Sequence, residues 1–196
     1  GFILGLRELC LPMLAGAAYV GVTRALLDQP ADLLAHMERH AVSVALLTPS
    51  YLRLFDGAVP RGLRCLMTAG ERPNADDARH YAAHLDYWNM HGATEVCGTI
   101  CMQKVDPDED GAIASGYPFT NTTVCLLDAN GAEVGHGETG EIHVIGVGVS
   151  PGYLDQPELT AAAFVDTIHG RAYRTHDLGR WRADGRLDTL GRDNDV

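Results

Sequence analysis

Asn89, His91, Thr94 and Glu95 lie within seven residues of one another in the stretch YWNMHGATE, Tyr87–Glu95. An amide, an imidazole, a hydroxyl and a carboxylate gather around the small-residue turn Gly92-Ala93. The apolar run that leads into them, Leu85–Trp88, has the character of a core strand. A strand that ends in polar side chains around a glycine is how many α/β proteins present a ligand site. Thr94 and the backbone N–H groups of the turn can bind a phosphate oxygen. Glu95, one residue on, can hold a hard divalent cation that bridges phosphates. A solvated helix start, with Thr94 and Glu95 as cap and decoration, accounts for the same residues without a ligand.

Two further clusters suit a nucleotide. Asp177, in Tyr173-Arg174-Thr175-His176-Asp177 at the edge of an expected β unit, can accept hydrogen bonds from the vicinal hydroxyls of a ribose. Arg192, in Gly191-Arg192-Asp193-Asn194-Asp195, can donate to a ribose hydroxyl or a phosphate, or can pair with an acidic neighbour as a surface bridge of little energy. Gly70, in Thr68-Ala69-Gly70-Glu71, ends another apolar run, where small residues let a ligand approach the backbone. A plain strand-to-helix turn explains that segment nearly as well. Paired histidines at His36/His40 and His80/His84 read as polar helix faces.

Elements that could position these groups follow a repeating pattern. Residues 28–40 have helical spacing, with Asp28 as cap, Pro30 in the first turn and Leu33, Leu34 and Met37 on one face. Residues 42–47 read as a strand and 49–55 as a short helix. Residues 63–70 read as a strand, 74–85 as a helix with an acidic start, and 86–89 as extended chain. Strand and helix in alternation predict a parallel-rich sheet with flanking helices, with ligands beyond the carboxyl ends of the strands. After about residue 115 the pattern shifts to short strands around a turn at Asp128–Gly131, with a helix over 157–165 and a strand over 186–191. The expected fold is therefore α/β, a parallel-rich sheet followed by a smaller, mostly antiparallel β subdomain. The expected divisions are 1–117, 118–190, and 191–196 as the start of a hinge.

Composition excludes several classes. Acids number 26 against 15 Lys plus Arg, for a net charge of −11. No basic stripe is present to neutralise a run of phosphates, so nucleic acid is not an expected partner. The longest uncharged run, Leu9–Thr23, has 15 residues broken by Pro12, Gly16 and Gly21, which is too short for a membrane span. Five cysteines, Cys10, Cys65, Cys97, Cys101 and Cys125, form no CxxC pair, and they read as buried free thiols of a reducing, cytoplasmic compartment. Gly148-Val149-Ser150-Pro151-Gly152 fails as a nucleophile elbow because proline follows the serine.

Five segments in order, LPMLAGA (11–17), NMHGATE (89–95), GEIHVIGVGVSPGYL (140–154), YRTHDLGRW (173–181) and GRDND (191–195), resemble the adenylate-forming enzymes, above all the adenylation domains of nonribosomal peptide synthetases that build secondary metabolites. The resemblance runs over essentially the whole chain. It implies a ligase that uses ATP and Mg²⁺ to convert a carboxylic acid to an acyl-adenylate with release of pyrophosphate. The acyl group then passes to a thiol, either the phosphopantetheine of a peptidyl or aryl carrier protein or, in the acyl-CoA synthetase relatives, CoA. By the same resemblance, Asn89, Met90 and the Gly92 backbone border the adenine, and His91 stacks beside it where tyrosine is usual. Thr94 meets the α-phosphate, Glu95 holds Mg²⁺, Gly70 borders the nucleotide, and Asp177 with Arg192 takes the ribose. The chain departs from the family pattern at Ala93 (commonly Pro), His176 (commonly Gly) and Thr189 (commonly aromatic), which leaves a non-catalytic scaffold module as a reading of another class.

The resemblance also implies that a phosphate loop with its lysine lies upstream of Gly1 and a lysine-bearing C-terminal domain follows Val196, with Asn194 at the hinge. On that reading the 196 residues alone are catalytically incomplete. The acid pocket would be lined by Ile3, Leu4, Arg7, Leu46, Met67, Ala69, Met90, Gly98 and Thr99. Where family members that activate α-amino acids carry an aspartate for the ammonium, this chain has Ile3. The expected substrate is an acid without a free α-amino group, with Arg7 meeting its tail, pairing within the protein or pointing outward.

Overall fold

The computed structural model of the protein describes residues 3–192. The chain divides into two compact units, one running up to Asn89 and including Lys104–Ile113, the other made of Met90–Gln103 and the chain from Ala114 onward.

The first unit opens with α1 (Ile3–Leu14), a helix that the sequence pattern did not announce because Pro12 and the following glycines argue against one. Pro12 falls in the last turn, and the helix stops two residues later. A four-residue α2 (Arg24–Leu27) follows, then α3 (Pro30–Arg39). Asp28 does not cap α3: it is the C-terminal cap of α2, within 3.5 Å of Arg24, and Gln29 occupies the α3 N-cap without a side-chain bond. Pro30 still starts the helix, and Leu33 and Met37 are buried.

β1 (Val44–Leu47) leads through Thr48, whose hydroxyl accepts the Tyr51 N–H, into α4 (Pro49–Leu52) and a 3₁₀ turn, Arg53–Phe55. β2 (Cys65–Thr68) lies parallel to β1, with Leu46 beside Met67. In α5 (Ala75–Ala82) the Asn74 side chain caps the N–H groups of Asp76 and Asp77, and those two acids sit where the helix dipole favours them. β3 (Asp86–His91) pairs parallel to β2, Thr68 beside Asn89. Alternation along these strands sends Leu66 and Tyr87 toward the helices, where they join Leu33, Met37, Leu52, Phe55, Ala78 and Tyr81 in one core. Leu46 and Met67, of opposite parity, lie side by side on the other face and stay half-buried.

β3 carries the chain into the second unit. There β4 (Cys101–Lys104) pairs antiparallel with β5 (Tyr117–Pro118). The remaining elements are β6 (Thr122–Leu127), β7 (Thr139–Gly146), α6 (Pro157–Ala163), β8 (Phe164–Thr167), β9 (Gly170–Trp181) and β10 (Leu187–Arg192). The order β10-β9-β7-β6, with β8 also paired to β9, is antiparallel throughout. Val124, Leu126, Ile142, Val144, Phe164, Tyr173 and Leu187 form its core. The expected fold class, a parallel-rich α/β unit and an antiparallel β subdomain, is the one observed.

Two further local expectations are corrected. β9 has neighbours on both sides, so Asp177 stands on an interior strand, not at the edge. The helix expected over 157–165 ends at Ala163, because Phe164 and Val165 pair with Tyr173 and Ala172 and become β8.

Candidate functional site

β3 ends in the loop that sequence singled out. Asn89 and Met90 are buried, and the next residue, His91, is half-buried. Gly92 is required by close approach: a Cβ there would lie inside the carbonyl of Gly98 and 2.8 Å from the Thr99 Cα, so any side chain forces backbone apart. Ala93 then offers its carbonyl to the Gly98 N–H at 2.9 Å, a 3₁₀ turn covers Thr94–Val96, and Ile100 N–H returns to the His91 carbonyl at 2.8 Å. Residues 92–99 are thus closed on themselves. Thr94 is exposed on this loop, Glu95 is half-buried, and Gly98 and Thr99 are buried.

Glu95 is anchored twice. Its carbonyl accepts the Ser150 N–H at 2.8 Å, and its Oε1 accepts the Tyr153 hydroxyl, also at 2.8 Å. Tyr173 joins the same group. Burial and then the Glu95 charge push its phenol well above the usual range, and burial followed by the Glu95 hydrogen bond raises that of Tyr153. Both tyrosines therefore stay protonated donors at neutral pH. Neither was picked out from sequence, although both fall inside the segments that carry the family resemblance; what pairs them with Glu95 is tertiary.

Asp177 is positioned by an irregularity. Between Arg174 and Leu178 β9 takes four steps while β7, between His143 and Glu141, takes two. On the other side β10 also slips, between Thr189 and Gly191. The extra residues re-aim the side chain, as bulges beside sites do. His176 sits there at φ +61°, a conformation that glycine adopts without strain, which accounts for glycine being common at this position. Thr175 Oγ1 accepts the Asp177 N–H at 3.0 Å and donates to the Ile142 carbonyl at 2.9 Å. The Asp177 carboxylate then faces two nitrogens: Arg192 Nε at 3.5 Å from Oδ1 and His91 Nε2 at 3.7 Å from Oδ2. Burial lowers the His91 pKa while Asp177 opposes the shift, so the ring is neutral near pH 7. His91 Nε2 is buried and lacks a hydrogen-bond partner, and Arg192 is largely exposed. Thr189, where an aromatic residue is common, bonds the Ser115 hydroxyl at 2.8 Å.

The remaining predicted residues divide by unit. His91, Gly92, Thr94, Glu95, Asp177 and Arg192 all belong to the second, as do Met90, Gly98 and Thr99; Gly70, Asn89, Arg7, Leu46, Met67 and Ala69 belong to the first. Gly70 is exposed at φ +87°, just past β2. The residues around it have structural work. Thr68 shares a buried 2.8 Å hydrogen bond with the Tyr87 hydroxyl, and the Glu71 carboxylate receives the Ser50 N–H and hydroxyl at 2.9 and 2.7 Å. Arg7 is half-buried in α1, and burial lowers its pKa. Asn194, assigned to the hinge, lies outside the described residues, as do the side chains of Ile3 and Leu4. The expectation of five buried thiols fails: Cys10 and Cys97 are exposed and Cys65 is half-buried, while only Cys101 and Cys125 are buried.

The fold is that of one class of enzyme. The family described as "AMP-binding enzyme" matches residues 1–154, and the chain belongs to it. It is similar to phosphinothricin tripeptide synthetase PhsC of Streptomyces viridochromogenes, 37% identical over 97% of this chain and 18% of PhsC. It is also similar to CymA of Salinispora arenicola, a probable non-canonical nonribosomal peptide synthetase, 39% identical over 84% of this chain and 2% of CymA. Among solved structures, CmiS6 superposes with TM-score 0.89 at 30% identity, over 97% of this chain and 50% of that one. PA1221, a nonribosomal peptide synthetase protein containing adenylation and PCP domains, gives 0.77 at 31% identity, over 84% and 36%. The chain therefore spans half or less of each of these relatives. Among its described residues, no helix is long and apolar enough to cross a membrane.

Proposed function

We propose that the protein to which these residues belong activates a carboxylic acid with ATP as an acyl-adenylate, in the cytoplasm. The observation that carries the reading is the Asp177 carboxylate, held by a strand bulge between Arg192 and the neutral, unpartnered edge of His91 within one compact unit. A carboxylate that keeps free acceptor capacity suits a pair of vicinal hydroxyls. Arg192 stands beside it as a counter-charge and can itself turn to a ribose oxygen, since the arginine is mostly exposed. His91 offers a flat face to a base and a buried nitrogen that lacks a partner. Asn89 and Met90, on the same strand, and the Gly92 backbone are assigned to the adenine, and Gly70 to the nucleotide border.

Thr94 and Glu95 serve the phosphates. The Thr94 hydroxyl is exposed on a loop that closes on itself, so it can donate to an α-phosphate oxygen without being reorganised. Glu95 fits Mg²⁺: it is an oriented, half-buried carboxylate, and this ion takes one or two such ligands together with water and substrate phosphates. Bound there, Mg²⁺ would neutralise charge on the phosphates. Tyr153, by donating to Oε1, fixes which oxygen stays available. In the reaction, a carboxylate oxygen of the acid attacks the α-phosphorus and the bond to pyrophosphate breaks. A thiol sulfur then attacks the acyl carbon and AMP leaves. The carrier domain in PA1221 supports a phosphopantetheine thiol as acceptor, with CoA as the alternative.

Within the first unit Leu46, Met67 and Ala69 are assigned to the acid, as are Met90, Gly98 and Thr99 in the second. Ile3, where amino-acid-activating relatives place an aspartate, supports an acid without a free α-amino group. ATP–pyrophosphate exchange by the full-length protein tests the whole reading. Exchange that depends on an added acid and is abolished by Asp177→Ala and Glu95→Ala supports it; exchange that both variants leave intact overturns the site.

A further inference from the structure

We infer that Cys125, Glu133 and His169 form a zinc site on the β-rich unit, separate from the nucleotide-binding residues. The Cys125 sulfur, a Glu133 carboxylate oxygen and a His169 ring nitrogen all lie within 4.8 Å of one another. Glu133 Oε1 stands 2.9 Å from His169 Nε2, so two of the three donors are already paired, with the Cys125 sulfur within 4.8 Å of both. The three donors thus converge on one small volume, where a cation could draw them together.

The backbone holds each donor before any metal arrives. Cys125 is interior to β6, paired with His143 of β7, on the face opposite Val124 and Leu126, and is 3% exposed. The Asp128 carboxylate then turns the chain by accepting the N–H groups of Asn130 and Ala132, and Glu133 returns to bridge Leu127, two residues from the cysteine. His169 occupies the two-residue turn between β8 and β9, where Thr167 Oγ1 accepts its N–H at 3.2 Å. Sulfur, imidazole and carboxylate from three fixed segments are a donor set for zinc and not for magnesium or calcium, which take oxygen. Tetrahedral zinc with bonds of about 2.0–2.3 Å needs donors nearer than they now lie, a movement that the half-exposed Glu133 and His169 side chains can make. Water completes the fourth position. On binding, the thiol proton passes to solvent, and the imidazole enters neutral.

The site would pin the β6–β7 turn to the β8–β9 turn, so zinc should stabilise this unit by mass action. The test uses the full-length protein, stripped with a chelator and kept in excess Mg²⁺ so that hard-cation sites are filled. Co²⁺ is added as a spectroscopic probe and Zn²⁺ affinity is read by competition with a chromogenic chelator. The expected result is a thiolate-to-cobalt charge-transfer band that Zn²⁺ abolishes and Cys125→Ser lacks. His169→Ala and Glu133→Gln, on exposed side chains that leave folding intact, should each weaken Zn²⁺ by at least about tenfold. No such band, a band that survives Cys125→Ser, or Zn²⁺ affinity within about twofold of wild type in His169→Ala would overturn the site. Should Cys125→Ser fail to fold, the two surface variants decide. Pyrophosphate exchange is not the readout, so this site and the adenylation reading stand or fall separately.

Discussion

Asp177 balances two nitrogens of different kinds, and its replacement separates their roles. Asp177→Asn keeps the shape and removes the charge that holds Arg192 and opposes the burial of His91. Loss of a charge-assisted hydrogen bond to a ribose hydroxyl costs about 1.5–3 kcal/mol, so kcat/KM for ATP should fall by roughly one to two orders of magnitude in pyrophosphate exchange. The acid concentration required should change little. His91 adds a pH dependence. Its folded pKa lies below 6.5 because burial disfavours the imidazolium. The unfolded state therefore binds the proton more readily. The stability this neutral ring supports is complete above the unfolded pKa and is lost as pH falls through about 6.5 toward the lower folded value. Denaturant midpoints between pH 7.5 and pH 5 should drop less for His91→Gln than for wild type. They should drop more for Asp177→Asn, because without the aspartate the folded pKa is lower still. Equal slopes in all three would remove His91 from the account. Residue types alone singled out Asn89, Thr94, Glu95 and Asp177 as candidates, since a hydroxyl and carboxylate after a strand suggest their chemistry. The partnership of Glu95 with Tyr153 and Tyr173 was not legible, because it joins positions far apart in the chain.

Elements decide whether those residues are aimed. The loop after β3 closes only because residue 92 has no side chain, and Gly92→Ala would press a methyl into the Gly98 carbonyl. Overpacking against backbone costs about 1–3 kcal/mol, and here relief requires the loop to open. The expected outcome is a fall in the thermal midpoint together with loss of exchange activity, whereas Thr94→Ser should keep the midpoint. A Gly92→Ala variant with wild-type activity would show that the loop geometry is not needed. Sequence periodicity found β1, β2, β3 and α5 because strand–helix alternation and the Asn74 cap are local signals. It missed α1, whose proline and flanking glycines read as breakers, and it missed β8, whose strand identity comes from pairing with β9. The bulge that presents Asp177 was equally hidden. Its one trace was a histidine at a position held in the left-handed region, and that conformation cannot be read from one sequence without its neighbours.

At the scale of the molecule, charge and substrate are linked through what the chain does not carry. A net charge of −11 over these residues gives no general attraction for anionic ligands, so under the proposed function recognition of ATP and of the acid rests on a few aimed groups. For the acid, the position that resembles an ammonium-binding aspartate holds isoleucine, Ile3. Burying an ammonium there without a partner costs at least about 3 kcal/mol, equivalent to roughly a hundredfold in kcat/KM. Matched pairs of acids differing only in the α-amino group, tried in pyrophosphate exchange with the full-length protein, should favour the desamino member by that factor. Ile3→Asp should then narrow the gap or reverse it, by supplying the counter-charge and penalising the apolar acid. A wild-type preference for the amino acid would show that another group binds the ammonium. Arg7, half-buried on the same helix one turn further on, extends the test to acids with an anionic tail. If Arg7 meets the tail, Arg7→Met should raise KM for those acids while leaving simple apolar acids unchanged; an equal effect on both classes would make Arg7 a packing residue.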